Sequence, residues 1–116
     1  MNSKKLVDKI VETLKNKKAR DIDIIDITKI STLADYFVIC SGTSTTHIRT
    51  LADELEEKLS NDGHLCLRKE GYNSARWILI DYGDVVVHIF HEEDRNFYNL
   101  ERLWADGIIT SQSAEE

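Results

Sequence analysis

Asp21 and Asp23 stand two residues apart. On a strand that spacing puts both carboxylates on one face, an arrangement used to hold a divalent metal for nucleotidyl transfer. The alternation with Ile22 and Ile24 also fits a plain solvated strand face. Ser41-Gly42-Thr43-Ser44 lies between a continuous apolar run and a helical pattern, where free N–H groups converge and suit a phosphate. Neither the Walker lysine pattern nor G-x-G-x-x-G is present, and the plainer reading is a turn in which Thr43 or Ser44 caps the helix. In metal-dependent nucleotidyl transfer the glycine-serine turn precedes the carboxylate strand, whereas here it follows.

His88 and His91 are three apart, so along one strand they point to opposite faces. Neither Cys40 nor Cys66 has a ligand-spaced neighbour. The sequence therefore predicts no metal, no cofactor and no catalytic residues, with His47 as a boundary residue of its helix. Asp81 and Asp84 are the remaining acidic pair. They bracket Tyr82-Gly83, which reads as a two-residue turn between the apolar runs 76–80 and 85–90. Counting outward places Asp81 opposite Asp84, Leu79 opposite Val86 and Trp77 opposite His88. Two opposed carboxylates repel, so a basic group is expected to meet them. One face of this hairpin carries Ile78, Ile80, Val85, Val87 and Ile89 and is core. The other carries Trp77, Leu79, Val86, His88 and Phe90 with the acidic pair at its rim, the mixture of a docking surface.

The elements that position these groups follow from periodicity. Leu6, Val7, Ile10, Val11 and Leu14 predict a one-faced helix ending in Lys15-Asn16-Lys17-Lys18, cations suited to a helix C-terminus. Ile22, Ile24 and Ile27 among aspartates predict a strand with a polar side, and the run 35–40 a strand buried on both sides. Ile48, Leu51, Ala52, Leu55 and Leu59 predict a second helix with Gly63 just past its end. Leu65-Cys66-Leu67 reads as a short strand, 69–74 as a polar loop, and Phe97, Leu100 and Trp104 as the apolar side of a last helix. The order α-β-β-α-β-β-β-α predicts a single α/β (α+β) domain, with helices packed on a mixed sheet of about five strands. The domain is expected over 1–106, with 107–116 a polar, frayed tail.

Bulk properties narrow the function classes. Lys and Arg number 15 against 21 Asp and Glu, a formal net charge of −6, which disfavours nucleic-acid binding through a generally basic surface and favours a basic protein partner. Two cysteines in separate apolar runs indicate no disulfide framework, and no stretch is long and apolar enough for a membrane span. With no signal-peptide pattern at the N-terminus, a cytoplasmic protein is expected.

Several motifs in order, Asp35-Tyr36-Phe37-Val38-Ile39, Ser41-Gly42-Thr43-Ser44, His47, Glu70-Gly71, Ser74-Ala75-Arg76-Trp77, 81–88 and 97–104, together resemble the ribosomal silencing factor family, also called Iojap-like. The resemblance spans roughly Lys5 to Asp106. It implies a nucleotidyltransferase-like fold without transferase activity. It also implies binding to the large ribosomal subunit through its fourteenth protein, so that subunit joining is blocked and translation repressed when nutrients are short, and a homodimer when free. Carried onto this chain, the docking residues are Glu70, Arg76, Trp77, Asp81, Tyr82, Asp84, Val86 and His88. Two alternatives stand beside it: a metal-dependent nucleotidyltransferase using Asp21 and Asp23, and a ribosome-assembly factor that represses nothing.

Overall fold

Helical spacing of apolar residues lays one stripe of each helix on a sheet. A computed structural model of the chain describes residues 3–29, 32, 34–94 and 108–112. Helix α1 (Ser3–Asn16) buries Leu6, Val7, Ile10, Val11 and Leu14, and α2 (Thr45–Asn61) buries Ile48, Leu51, Ala52, Leu55 and Leu59. Both stripes are those the sequence predicts. The strands are β1 (Arg20–Asp26), β2 (Tyr36–Gly42), β3 (Arg68–Glu70), β4 (Trp77–Asp81), β5 (Val85–His91) and β6 (Ile108–Gln112). They form one mixed sheet in the order β3-β4-β5-β2-β1-β6, with β2 and β5 parallel and the other neighbours antiparallel. Both helices share one core with Ile22, Ile24, Val38, Cys40, Ile78 and Ile80 on one face of the sheet.

Three strands differ from expectation. β1 is buried on both sides, because Ile22 and Ile24 meet the helices while Ile25 and Ile27 join a second cluster with Ile39 and Phe90 on the opposite face. The strand near residue 66 is Arg68–Glu70 rather than Leu65-Cys66-Leu67, and Leu65 and Leu67 are 71% and 73% exposed. It is an edge strand, where polar side chains are tolerated on both faces. The sixth strand, Ile108–Gln112, falls in the segment expected to be a frayed tail, yet pairs with β1 from Ile22↔Gln112 to Asp26↔Ile108. The free edge of β1 supplies that ladder, a long-range pairing that local pattern does not reveal. Residues 92–94 start a helical turn, and the rest of the expected last helix lies outside the described residues.

The two helices end with the same backbone device. After α2, the Gly63 N–H donates to Ser60 O at 3.0 Å and the His64 N–H to Leu59 O at 2.8 Å; after α1, the Lys18 N–H donates to Lys15 O and the Ala19 N–H to Leu14 O, both at 3.0 Å. This is the Schellman pattern, which wants a left-handed residue at its turning position. Gly63 takes it at φ 87°, but at α1 the position is held by Lys18 at φ 66°. A side chain there costs about 1 kcal/mol relative to glycine.

Candidate functional site

The hairpin turn is Gly83-Asp84, not Tyr82-Gly83. Asp81 lies opposite Val86, Leu79 opposite His88 and Trp77 opposite Phe90, and the Tyr82 N–H donates to Val85 O at 3.0 Å. Gly83 has positive φ and Asp84 does not, so the glycine supplies the one left-handed position of the turn. The Asp81 carboxylate accepts from the Gly83 N–H at 2.8 Å, which favours this turn over the alternative. Asp81 and Asp84 therefore are not the directly opposed cross-strand pair that the sequence predicts. The register slips by two residues, an even number, so every strand side chain keeps its expected face. Asp84 O also accepts from the Asp35 and Tyr36 N–H groups at 2.7 and 3.2 Å, which pins the turn to the start of β2.

On the sheet face away from α1 and α2, Trp77, Val86 and Phe37 are partly buried around Phe90 and Ile39. Trp77 stacks on Phe90 with ring centroids 5.0 Å apart, and Phe37 meets His88 edge-on at 4.9 Å. The Trp77 indole N–H donates to His88 Nδ1 at 3.1 Å. That bond assigns the His88 proton to Nε2, which is buried without a partner. Only 5% of His88 is exposed, so it sits beneath the surface expected to present it and acts there as a support for the indole. Burial lowers its pKa from 6.5 to about 4. The unfolded chain thus binds a proton between those values that the folded chain refuses, and stability is lost as pH falls through that window. Wild type is expected to lose about 2 kcal/mol more than His88→Leu between pH 7 and pH 5, in urea unfolding at each pH. Parallel losses in the two proteins would reject this assignment.

The other expected docking residues separate. Glu70 faces the same side as Leu79, its cross-strand partner, and pairs with Arg68 at 2.9 Å. Arg68 lies directly across from Asp81, so the basic neighbour expected for that carboxylate comes from the chain's own edge strand. Asp84 is exposed at the turn. Arg76 is engaged within the chain, forming a two-pronged pair with Asp94 at 2.6 and 2.9 Å that holds the Asp94 carboxyl below its ordinary range. Tyr82 lies on the opposite face, packed against the helix-side core, where burial pushes its hydroxyl well above the ordinary value. Leu67 was not expected at this site. It is exposed and adjoins the Gly83 turn, and a Cβ on Gly83 would lie 3.5 Å from its Cδ1. Its signal, an apolar residue just before a polar edge strand, resembles a buried strand when read without the fold.

The loop leading into β4 is held by α2. Arg49 Nε donates to Tyr72 O at 3.1 Å, the Tyr72 hydroxyl donates to Asp53 at 2.9 Å, and Lys69 Nζ stands 4.4 Å from the Tyr72 ring centre. Sequence left this loop open, and the structure ties it to α2 just before β4 begins.

The alternative chemistry fares differently. A bulge between Arg20 and Asp23, with Asp21 at φ 50°, takes Asp21 out of the strand alternation, so the shared-face geometry of a two-carboxylate metal site is not formed. Among the described residues no group of three or more His, Cys, Asp or Glu side chains could hold a metal ion. Ser44 caps α2 by accepting from the His47 N–H at 3.1 Å, as the turn chemistry predicts. Both cysteines are free, Cys40 buried and Cys66 partly so. No described helix is long and apolar enough to cross a membrane.

A family model described as ribosomal silencing factor during starvation matches residues 1–116. The chain is 42% identical over 109 residues to the ribosomal silencing factor of Bacillus subtilis, covering 94% of this chain and 92% of that one. A crystal structure of a protein from Chromobacterium violaceum superposes with a TM-score of 0.88 at 31% identity, covering 90% of this chain and 88% of that one. The mouse protein named mitochondrial assembly of ribosomal large subunit protein 1 is 35% identical over 114 residues, 94% of this chain and 49% of its own length. A match that runs from the first helix to the last strand, with the fold preserved, makes this chain a member of the ribosomal silencing factor family.

Proposed function

We propose that this protein docks on the large ribosomal subunit through its fourteenth protein, at the face that meets the small subunit, and represses translation by obstructing subunit joining when nutrients are short. Family membership supports ribosome-associated regulation of translation. The observation that carries the finer reading is the hairpin itself. A partly buried indole at one end of the hairpin and an exposed aspartate and an exposed leucine at its turn belong to a chain of net charge −6. Carboxylates at the rim speed encounter with a basic protein, and the aromatic and leucine surface prolongs the contact. Obstruction needs no reacting group, so the reading is non-enzymatic.

Purified protein added to separated subunits in a sucrose gradient is expected to sediment with large subunits and to deplete the joined peak. Asp84→Lys, which reverses an exposed charge without touching the Asp81–Gly83 bond, is expected to weaken co-sedimentation at least tenfold. Unimpaired joining at saturating protein would remove the repressor reading. A second reading, assembly of the large subunit, is favoured by the name of the mouse relative. It predicts binding to immature particles and no effect on joining of mature ones. The free protein is proposed to be a dimer that uses the same face, so light scattering over a dilution series should show dissociation before docking.

A further inference from the structure

A cleft of about 560 Å³ opens on the helix side of the sheet, lined by Lys15, Lys17, Lys18, Arg20, Thr43 and His47 together with Asn16. It lies at the carboxyl end of β2, whereas the Gly83 turn is tied to the amino end of that strand. The hairpin's turn and the cleft are thus at opposite ends of the sheet, while Trp77, level with the carboxyl end of β2 through Phe90, lies on the sheet face away from the helices. No carboxylate is among the described lining residues, although the chain as a whole is acidic. We propose that this cleft binds a diphosphate group, as free pyrophosphate or as part of a nucleoside diphosphate.

The walls come from two separate elements, and His47 joins them. Its Nδ1 accepts from the Thr43 N–H at 3.0 Å, which leaves the proton on Nε2 to donate to Lys17 O at 2.9 Å. The ring therefore sets the distance between the turn after β2 and the segment after α1. Lysines at the end of a helix ordinarily answer its dipole, and that accounts for Lys15. It does not account for Lys18, which occupies the left-handed position that Gly63 fills at the equivalent point of α2. Nor does it account for Arg20, which lies beyond the helix and in β1. Neither Lys17 nor Lys18 forms an ion pair among the described residues.

Size and charge choose the ligand. A few hundred cubic ångströms suits a small molecule. The four cations of the cleft leave eleven Lys and Arg against 21 Asp and Glu over the rest of the chain, so an RNA strand would run from the cleft onto repelling surface. A compact anion ends inside it. Apart from the His47 imidazole no aromatic ring among the described residues lines the cleft to stack on a base, so pyrophosphate, ADP and GDP should bind with similar affinity.

The test is titration of the full chain with sodium pyrophosphate, ADP, GDP and a single-stranded RNA oligonucleotide at constant ionic strength, followed by calorimetry and by amide chemical shifts. One equivalent of pyrophosphate is expected to bind, shifting amides of residues 15–20 and 43–47, with orthophosphate at least tenfold weaker. Reversing two charges, Lys17→Glu with Lys18→Glu, should weaken binding at least tenfold and leave co-sedimentation with large subunits unchanged. Lys18→Gly should raise the urea midpoint while weakening binding several-fold, which a purely structural lysine would not do. No pyrophosphate binding at millimolar concentration, shifts mapping elsewhere, full affinity in the charge-reversed protein, or RNA binding that pyrophosphate does not displace would each overturn the proposal. None of these results bears on docking at the hairpin, which is read separately by sedimentation.

Discussion

Gly71→Ala is expected to destabilise the protein by about 4 kcal/mol and to abolish docking. Gly71 sits at φ 82°, and a Cβ built there would stand 2.1 Å from Trp77 O and 3.2 Å from the carbon of the same carbonyl. Those are backbone atoms of β4, so no side chain can swing aside. Of the cost, about 1 kcal/mol is the left-handed conformation and the rest is displacement of the strand. The displaced residue is Trp77, so the docking face is damaged by the same movement. Gly83→Ala provides the comparison. It too has positive φ, but its added Cβ would meet only Leu67 Cδ1 at 3.5 Å, an ordinary contact. It should cost about 1 kcal/mol. Urea unfolding of both variants decides the matter, and equal midpoints would show that the close approach at Gly71 is relieved in some other way.

Trp77→Ala is expected to weaken co-sedimentation with large subunits about a hundredfold, roughly 3 kcal/mol, the loss typical of a central aromatic anchor. The indole has two tasks, and Trp77→Phe separates them. A phenyl ring keeps the stacking on Phe90 but has no N–H, so His88 Nδ1 is left buried with no donor. That should cost about 2 kcal/mol of stability while reducing docking less than tenfold. The phenylalanine variant must therefore fail mainly in unfolding, whereas the alanine variant, which loses the same donor and the stacking on Phe90 as well, must fail in both. A folded Trp77→Ala protein that still sediments with large subunits within threefold of wild type would remove the indole from the interface.

Expectation and structure agree where the signal is periodic. The stripes on α1 and α2, the doubly buried β2, the Ser44 cap and Gly63 follow from apolar spacing and from residues with one conformational use. The two faces of the β4–β5 hairpin were legible as well, and they survived an error in the turn because a slip of two residues preserves the alternation. The turn itself was not legible. Tyr82-Gly83 and Gly83-Asp84 both place glycine where positive φ is allowed, and what separates them is the Asp81 side chain's bond to Gly83 together with the tie of Asp84 O to the start of β2. Arg76 and Tyr82 come to the docking surface through the family resemblance; in the structure Arg76 pairs with Asp94 and Tyr82 packs against the helix-side core.

What the sequence determined by itself was the two helices and their apolar faces, the doubly buried β2, the two faces of the β4–β5 hairpin, and the resemblance to the family, because these are written in residues close along the chain. The tertiary structure decided which polar groups are spoken for. It buried His88 under the indole, engaged Arg76, moved Asp21 out of line with Asp23, brought a sixth strand to the edge of β1, and gathered Lys15, Lys17, Lys18 and Arg20 against Thr43 and His47. Each of these depends on an ion pair, a bulge or a strand pairing between segments distant in sequence. The free energy of such contacts comes from desolvation and geometry that exist only once the chain has closed on itself.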